Sequence, residues 1–191
     1  MSRVYAGVGS RQTPQDVLDL MSILGARLAD LGWTLRSGNA PGADQAFQEA
    51  AWGHLMTIPE QDPPRVEVYL PWPDFHAPEK LQPSTIWHNN PTYQGVEAAI
   101  AHHPAGRRLS RGARLLHGRN SHQILGRLLN APATMVVCWS PCGAQELDQL
   151  TRQSGGTGQA IRLARRNGIP VFNLKNPGAL PALQAFVEQH P

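Results

Sequence analysis

Three short glycine-containing loops carry the residues of this chain best suited to holding an anion. Ser154-Gly155-Gly156-Thr157-Gly158 runs directly into Gln159-Ala160-Ile161-Arg162-Leu163-Ala164-Arg165-Arg166. Glycines let the backbone approach a ligand closely, and the unpaired N–H groups of a first helical turn point at negative charge. Gly7-Val8-Gly9-Ser10-Arg11 offers a hydroxyl and a guanidinium fork, both good phosphate partners. It is not the dinucleotide fingerprint, because Gln12 stands where the third glycine belongs. Ser37-Gly38-Asn39-Ala40-Pro41-Gly42-Ala43-Asp44 places a carboxylate at a helix start, where the dipole suits it and where it can accept ribose hydroxyls. A fourth group, Gly118-Arg119-Asn120-Ser121, pairs a phosphate-binding cation with an amide. Arg107, Arg108, Arg111 and Arg114 crowd just upstream of it and favour an anionic partner.

Other chemistries lack their residues. The chain contains no G-x-S-x-G elbow and no G-x-x-x-x-G-K-[ST] loop, which removes the common hydrolase and P-loop readings. Cys138 and Cys142 form a C-x3-C pair with no second pair, so zinc is not expected. His117 and His122 lie five apart and do not share a helix face well, and the other histidines lack ligand spacing. Neither a metal nor a cofactor is expected. A net charge of +3 permits an anionic ligand without requiring nucleic acid. No apolar segment resembles a signal peptide or a membrane span, so a cytoplasmic protein with no membrane partner is expected.

The elements that must position these loops alternate in type. Strands are predicted at Arg3–Gly9, Trp33–Ser37, Arg65–Trp72, Thr134–Trp139 and Ile169–Leu174. Helices are predicted after Thr13, as N-cap, to Leu31; over Gly42–Gly53, Gly95–His102 and Arg111–Asn130; after the Gly155-Gly156 loop; and over Pro181–Glu188. This order predicts an α/β Rossmann-like three-layer sandwich with a mainly parallel sheet, in a single domain spanning 1–191. Such folds bind ligands at the carboxyl ends of their strands, where all three loops can converge. Prolines at 73, 78, 83, 91 and 104 predict an irregular insertion, or lid, over about 73–106. Its Trp72, Phe75, Trp87 and Tyr93 argue against plain disorder.

In order and spacing, the four motifs resemble the SLOG superfamily, which includes the Lonely Guy phosphoribohydrolases, DNA-processing protein A and sensor domains for ADP-ribose-type nucleotides. The resemblance covers nearly the whole chain except 73–106 and looks closest to compact stand-alone forms of the phage type. It implies a nucleotide-type ligand over Gly155–Gly158 and self-association, for which Leu115, Leu116 and Leu125 offer one face, although core packing explains them equally well. Arg119 matches the helical arginine of the Lonely Guy enzymes, but the rest of their signature departs. Arg162 stands at the catalytic glutamate, Gln159 at the threonine, Ser154 at the proline, and Gly118 where a glutamate precedes the arginine. A cation at 162 cannot act as a general base, and it adds charge for a second phosphate.

The leading expectation is therefore a protein that captures a phosphate-rich nucleotide, of a cyclic or ADP-ribose-derived kind. In a phage this would sequester an immune signal, a step resting on family analogy. The expected ligand residues are Gly9, Ser10, Arg11, Ser37, Gly38, Asn39, Gly42, Asp44, Arg119, Asn120, Gly155, Gly156, Thr157, Gly158 and Arg162, with an insertion tryptophan stacked on the base. A second reading is cleavage of an N-glycosidic or phosphodiester bond, with Asp44 or Glu146 as the catalytic carboxylate. A third is single-stranded DNA binding through the arginine cluster and the insertion aromatics.

Overall fold

Alternate residues of the central strands are apolar on both faces, so the sheet must be covered on both sides. In the computed structural model, which describes residues 3–59, 63–76 and 82–190, it is. Strands β1 (Val4–Gly9), β2 (Thr34–Ser37), β3 (Val66–Leu70), β4 (Thr85–Asn89), β5 (Met135–Trp139) and β6 (Val171–Asn173) form one sheet. Their order is β4-β3-β2-β1-β5-β6, and every neighbouring pair is parallel. Helices α1 (Gln15–Asp30), α2 (Ala43–Leu55) and α6 (Ala179–Glu188) cover one face. Helices α3 (Tyr93–His102), α4 (Arg111–Leu125) and α5 (Gly155–Arg166) lie together on the other. The result is the expected α/β Rossmann-like three-layer arrangement.

The pleat divides the core in two. Tyr5, Met135, Val137 and Trp139 face α1 and α2, while Val4, Ala6, Val8, Val136 and Cys138 face α4 and α5. Gly7 belongs to the first side for a steric reason: a β-carbon there would lie 2.7 Å from the Phe47 ring. Strand order reverses at β1, because the chain first builds outward through β2 to β4 and then returns to place β5 on the other side. That reversal opens a crevice beyond the carboxyl ends of β1 and β5.

Three differences from the sequence reading have local causes. The segment over 73–106 is more regular than expected, since it supplies β4 as a sixth parallel strand beside β3 and the helix α3. Its prolines flank these elements rather than interrupt them, and Thr92 caps α3 by accepting from the Gly95 amide at 3.0 Å. Pro78 lies outside the described residues. Helix α4 stops before Asn130, because Gly126 takes a φ of 77° just past Leu125. Thr13 is not the N-cap of α1. Pro14 holds that position, and the Thr13 hydroxyl donates instead to the Ser10 carbonyl at 2.6 Å.

Candidate anion-binding site

The loop leaving β1 is fixed before it reaches the crevice. The Ser10 amide donates to the Trp139 carbonyl at 3.1 Å, and the Ser10 hydroxyl accepts from the Gln12 amide at 3.1 Å. Arg11 is therefore carried on a tied turn, with its side chain exposed. The loop leaving β2 reverses into α2 at Gly42, whose φ of 92° and ψ of −123° suit only glycine. Asn39, at φ 58°, donates its amide to the Phe75 carbonyl at 3.1 Å and anchors this loop to the segment after β3.

Asp44 opens α2 inside the protein, at 3% exposure. Its carboxylate accepts from the Ala40 amide at 3.2 Å and from Arg119 of α4 at 3.2 Å. Arg119 also donates to the Gly38 carbonyl, and its guanidinium lies 5.4 Å from the centre of the Phe75 ring. A β-carbon at Gly38 would displace that guanidinium from its place. Burial pushes the Asp44 carboxyl above the ordinary range, and the charge of Arg119 opposes the rise. The pair thus joins β2, α2 and α4 beneath the crevice, and Asp44 partly neutralises the charge of Arg119.

The third loop is held by its own side chains. Thr151 accepts from the Gln153 amide at 3.1 Å, and Ser154 accepts from the Thr151 amide at 2.9 Å. Ser154 also lies 3.1 Å from the Cys142 sulfur. Gly155, at φ 54° and ψ −145°, then turns the chain into α5 with no side-chain cap. Gly155 and Gly156 are exposed, and Asn120 of α4 donates to the Gly156 carbonyl at 3.4 Å.

These loops enclose a cavity of about 620 Å³, within the size range of small-molecule sites. Of the sequence-derived residues, Gly9, Ser10, Arg11, Asp44, Arg119, Asn120, Gly155, Gly156 and Thr157 line it together. Ser37, Gly38, Asn39 and Gly42 lie behind it, shaping the loop that carries Asp44. Gly158 packs against Ser154. Arg162 points away and donates to the His102 carbonyl at 3.4 Å. Glu146 is exposed outside the cavity and paired with Arg165 at 2.7 Å. Neither insertion tryptophan is part of the lining: Trp87 packs on Trp52 with ring centres 6.0 Å apart, and Trp72 meets Phe75. Leu125 belongs to the core and Leu116 to the cavity wall, so two of the three leucines offered as an association face are used internally.

Sequence reasoning missed Arg152, His117 and Gln123, all of which line the cavity. The last two were within reach, since positions 113, 116, 117, 120 and 123 fall on one side of a helix. Among the described residues, Arg11, Arg119 and Arg152 set three cations in the lining against the single carboxylate of Asp44. Among the described residues, neither Arg11 nor Arg152 has an acidic partner.

His117 gives the site a pH signature. Burial, then the neighbouring His103 and Arg119, push it down to about 4. The fold therefore favours the neutral ring. Its contribution to stability is complete above the ordinary histidine range and is lost as pH falls from about 6.5 through the folded value. Thermal melts are expected to show midpoints falling over this window, with a smaller fall in His117→Gln. His76, His88, His103 and His122 are also pushed down by burial and contribute to the remaining slope. An identical slope in the variant would contradict this assignment.

Comparison with known proteins adds the fold. No family model matches the sequence, and no curated protein matches it significantly. Among solved structures, the chain is similar to one reported as structural insights into the unique single-stranded DNA binding mode of DNA processing protein A from Helicobacter pylori. The identity is 20% and the TM-score 0.51, over 89% of this chain and 64% of that one. This chain thus spans less than two thirds of the length of that protein, and the likeness is one of fold. No helix among the described residues is long and apolar enough to cross a membrane.

Proposed function

We propose that the crevice between β1 and β5 captures a phosphate-bearing nucleotide, and that the chain is a SLOG-type binding protein. The observation that carries this reading is the convergence of a helix start without a side-chain cap, exposed at Gly155 and Gly156, with Arg11 and Arg152 around one cavity. Backbone amides of the α5 first turn hold one phosphate, the two arginines a second, and Asp44 with Arg119 sets the floor. Capture without turnover is favoured because, among the described residues, the cavity has no free carboxylate: Asp44 is bound to Arg119, and Glu146 lies outside. An ADP-ribose-type ligand, with two phosphates to place, matches this charge distribution. Sequestration of such a nucleotide as a signal is the biological role consistent with the resemblance.

Single-stranded DNA binding is the second reading, favoured by the exposed Arg107, Arg108 and Arg111 and the 75% exposed Tyr93. Salt separates the two. Calorimetric titration of ADP-ribose and of an oligothymidylate at rising salt is expected to show measurable ADP-ribose binding with a shallow salt slope. A DNA binder would instead lose affinity steeply, in proportion to the phosphates it neutralises. Steep oligonucleotide binding without nucleotide binding would overturn the capture reading.

A further inference from the structure

A ring nitrogen in the cavity stands open and unpaired. His117 of α4 lines the cavity and is half-buried. Its Nδ1 is sealed away without a partner. Its Nε2 is not sealed, and among the described residues it has no hydrogen-bond partner. The ring is held in place by His103, at the end of α3, with the two ring centres 4.6 Å apart. His103 is itself tied down, because its Nδ1 accepts from the Ala105 amide at 3.0 Å.

The open nitrogen belongs to the phosphate end of the cavity. Cε1 of His117, the carbon between the two nitrogens, lies 4.0 Å from where a β-carbon of Gly156 would stand. Nε2, one bond away, therefore stands beside the place proposed for the first phosphate.

Charge decides what such a nitrogen suits. Arg11, Arg119 and Arg152, with the exposed start of α5, supply the positive charge that phosphates need. Burial, then His103 and Arg119, hold the His117 ring neutral. A neutral ring adds one uncharged hydrogen bond, as donor or as acceptor according to its tautomer. A hydroxyl both donates and accepts, so it matches either tautomer. In a nucleotide the nearest hydroxyls to the phosphate are those of the ribose. Asp44, the other group suited to them, is already held by the Ala40 amide and Arg119.

We propose that Nε2 of His117 bonds a ribose hydroxyl of the captured nucleotide and makes the site selective for a ribose with both hydroxyls free. This inference rests on the phosphate reading above and adds the sugar to it. It also sets the site against DNA, because no sugar within a DNA strand has a free hydroxyl.

The test is calorimetric titration of the intact protein with ADP, 2′-deoxy-ADP and 3′-deoxy-ADP, repeated with His117→Phe. The natural protein is expected to bind ADP roughly tenfold more tightly than one of the deoxy forms, the worth of one hydrogen bond. The weaker form identifies the hydroxyl. His117→Phe keeps a flat ring beside His103 and removes both nitrogens, and it is expected to erase the preference. His117→Gln, which still carries a hydrogen-bonding group, is expected to keep part of it. Equal affinity of the natural protein for all three ligands overturns the role of His117 without recourse to any variant. So does a preference that survives in His117→Phe. Either result leaves phosphate capture standing, whereas failure to bind any of the three ligands overturns both.

Discussion

Arg119→Met is expected to lower stability by about 3–5 kcal/mol and to abolish nucleotide binding. Asp44 is 3% exposed, and its carboxylate is held by Arg119 and one backbone amide. Removing the guanidinium leaves a buried negative charge without a counter-ion. For a chain of this size the melting temperature should drop by roughly 6–20 °C. The sign with pH is fixed. Without Arg119 the Asp44 carboxyl rises further, so the folded state favours the protonated acid. The defect is then smallest at acidic pH and grows as pH rises through the raised value. Asp44→Asn in the same chain removes the buried charge and is expected to recover much of the stability without restoring binding. Circular dichroism melts of the single and double variants at two pH values check this. A loss under about 1 kcal/mol would mean that the pair is more hydrated than its burial indicates.

Gly156→Asp has the opposite profile, with binding lost and the fold kept. No side chain stands closer than 4.0 Å to the new β-carbon, and Gly156 is exposed, so the β-carbon itself meets no clash. An aspartate in the first turn of α5 interacts favourably with the helix dipole, by about 0.3–1 kcal/mol, and replaces a flexible glycine. Stability should therefore hold or rise. The same carboxylate sits where a phosphate is proposed to rest, and like charges at contact distance repel. Affinity for a phosphate-bearing nucleotide is expected to fall at least a hundredfold. Gly156→Ala adds the β-carbon without the charge and should change affinity little. Titrations of all three proteins, with melts alongside, separate charge from steric effects. Equal losses in the alanine and aspartate variants would point to backbone geometry rather than anion repulsion.

Much of this architecture is legible in the sequence because it follows from local pattern. The run Met135–Trp139 is apolar throughout since β5 is buried on both faces, and the first glycine loop ends β1 where the strand order reverses. Strand β4 is harder to see. Thr85-Ile86-Trp87 has the β-branched and aromatic content of a strand, but Pro83 and Pro91 bracket it and mask the signal. The candidate site divides the same way. Loop glycines announce themselves by composition, whereas the Asp44–Arg119 pair joins residues 75 apart in sequence and exists only once the sheet is assembled. Arg162 illustrates the converse. Its alignment with a catalytic position suggests a place in the crevice, yet helix geometry turns it toward His102. Gln123 escapes because a glutamine in an arginine-rich helix looks like solvated surface, and only the packing of α4 against the sheet buries it.

The most direct test of the central claim is mass spectrometry of small molecules released by denaturing the purified protein. The protein is first incubated with ADP-ribose derivatives, cyclic dinucleotides and nucleoside monophosphates, beside Gly156→Asp treated identically. The account expects an intact phosphate-bearing nucleotide from the natural protein and none from the variant. Recovery of nothing from either, or of equal amounts from both, would contradict capture at the α5 loop, and a free base or cleaved product would make the crevice a catalytic site.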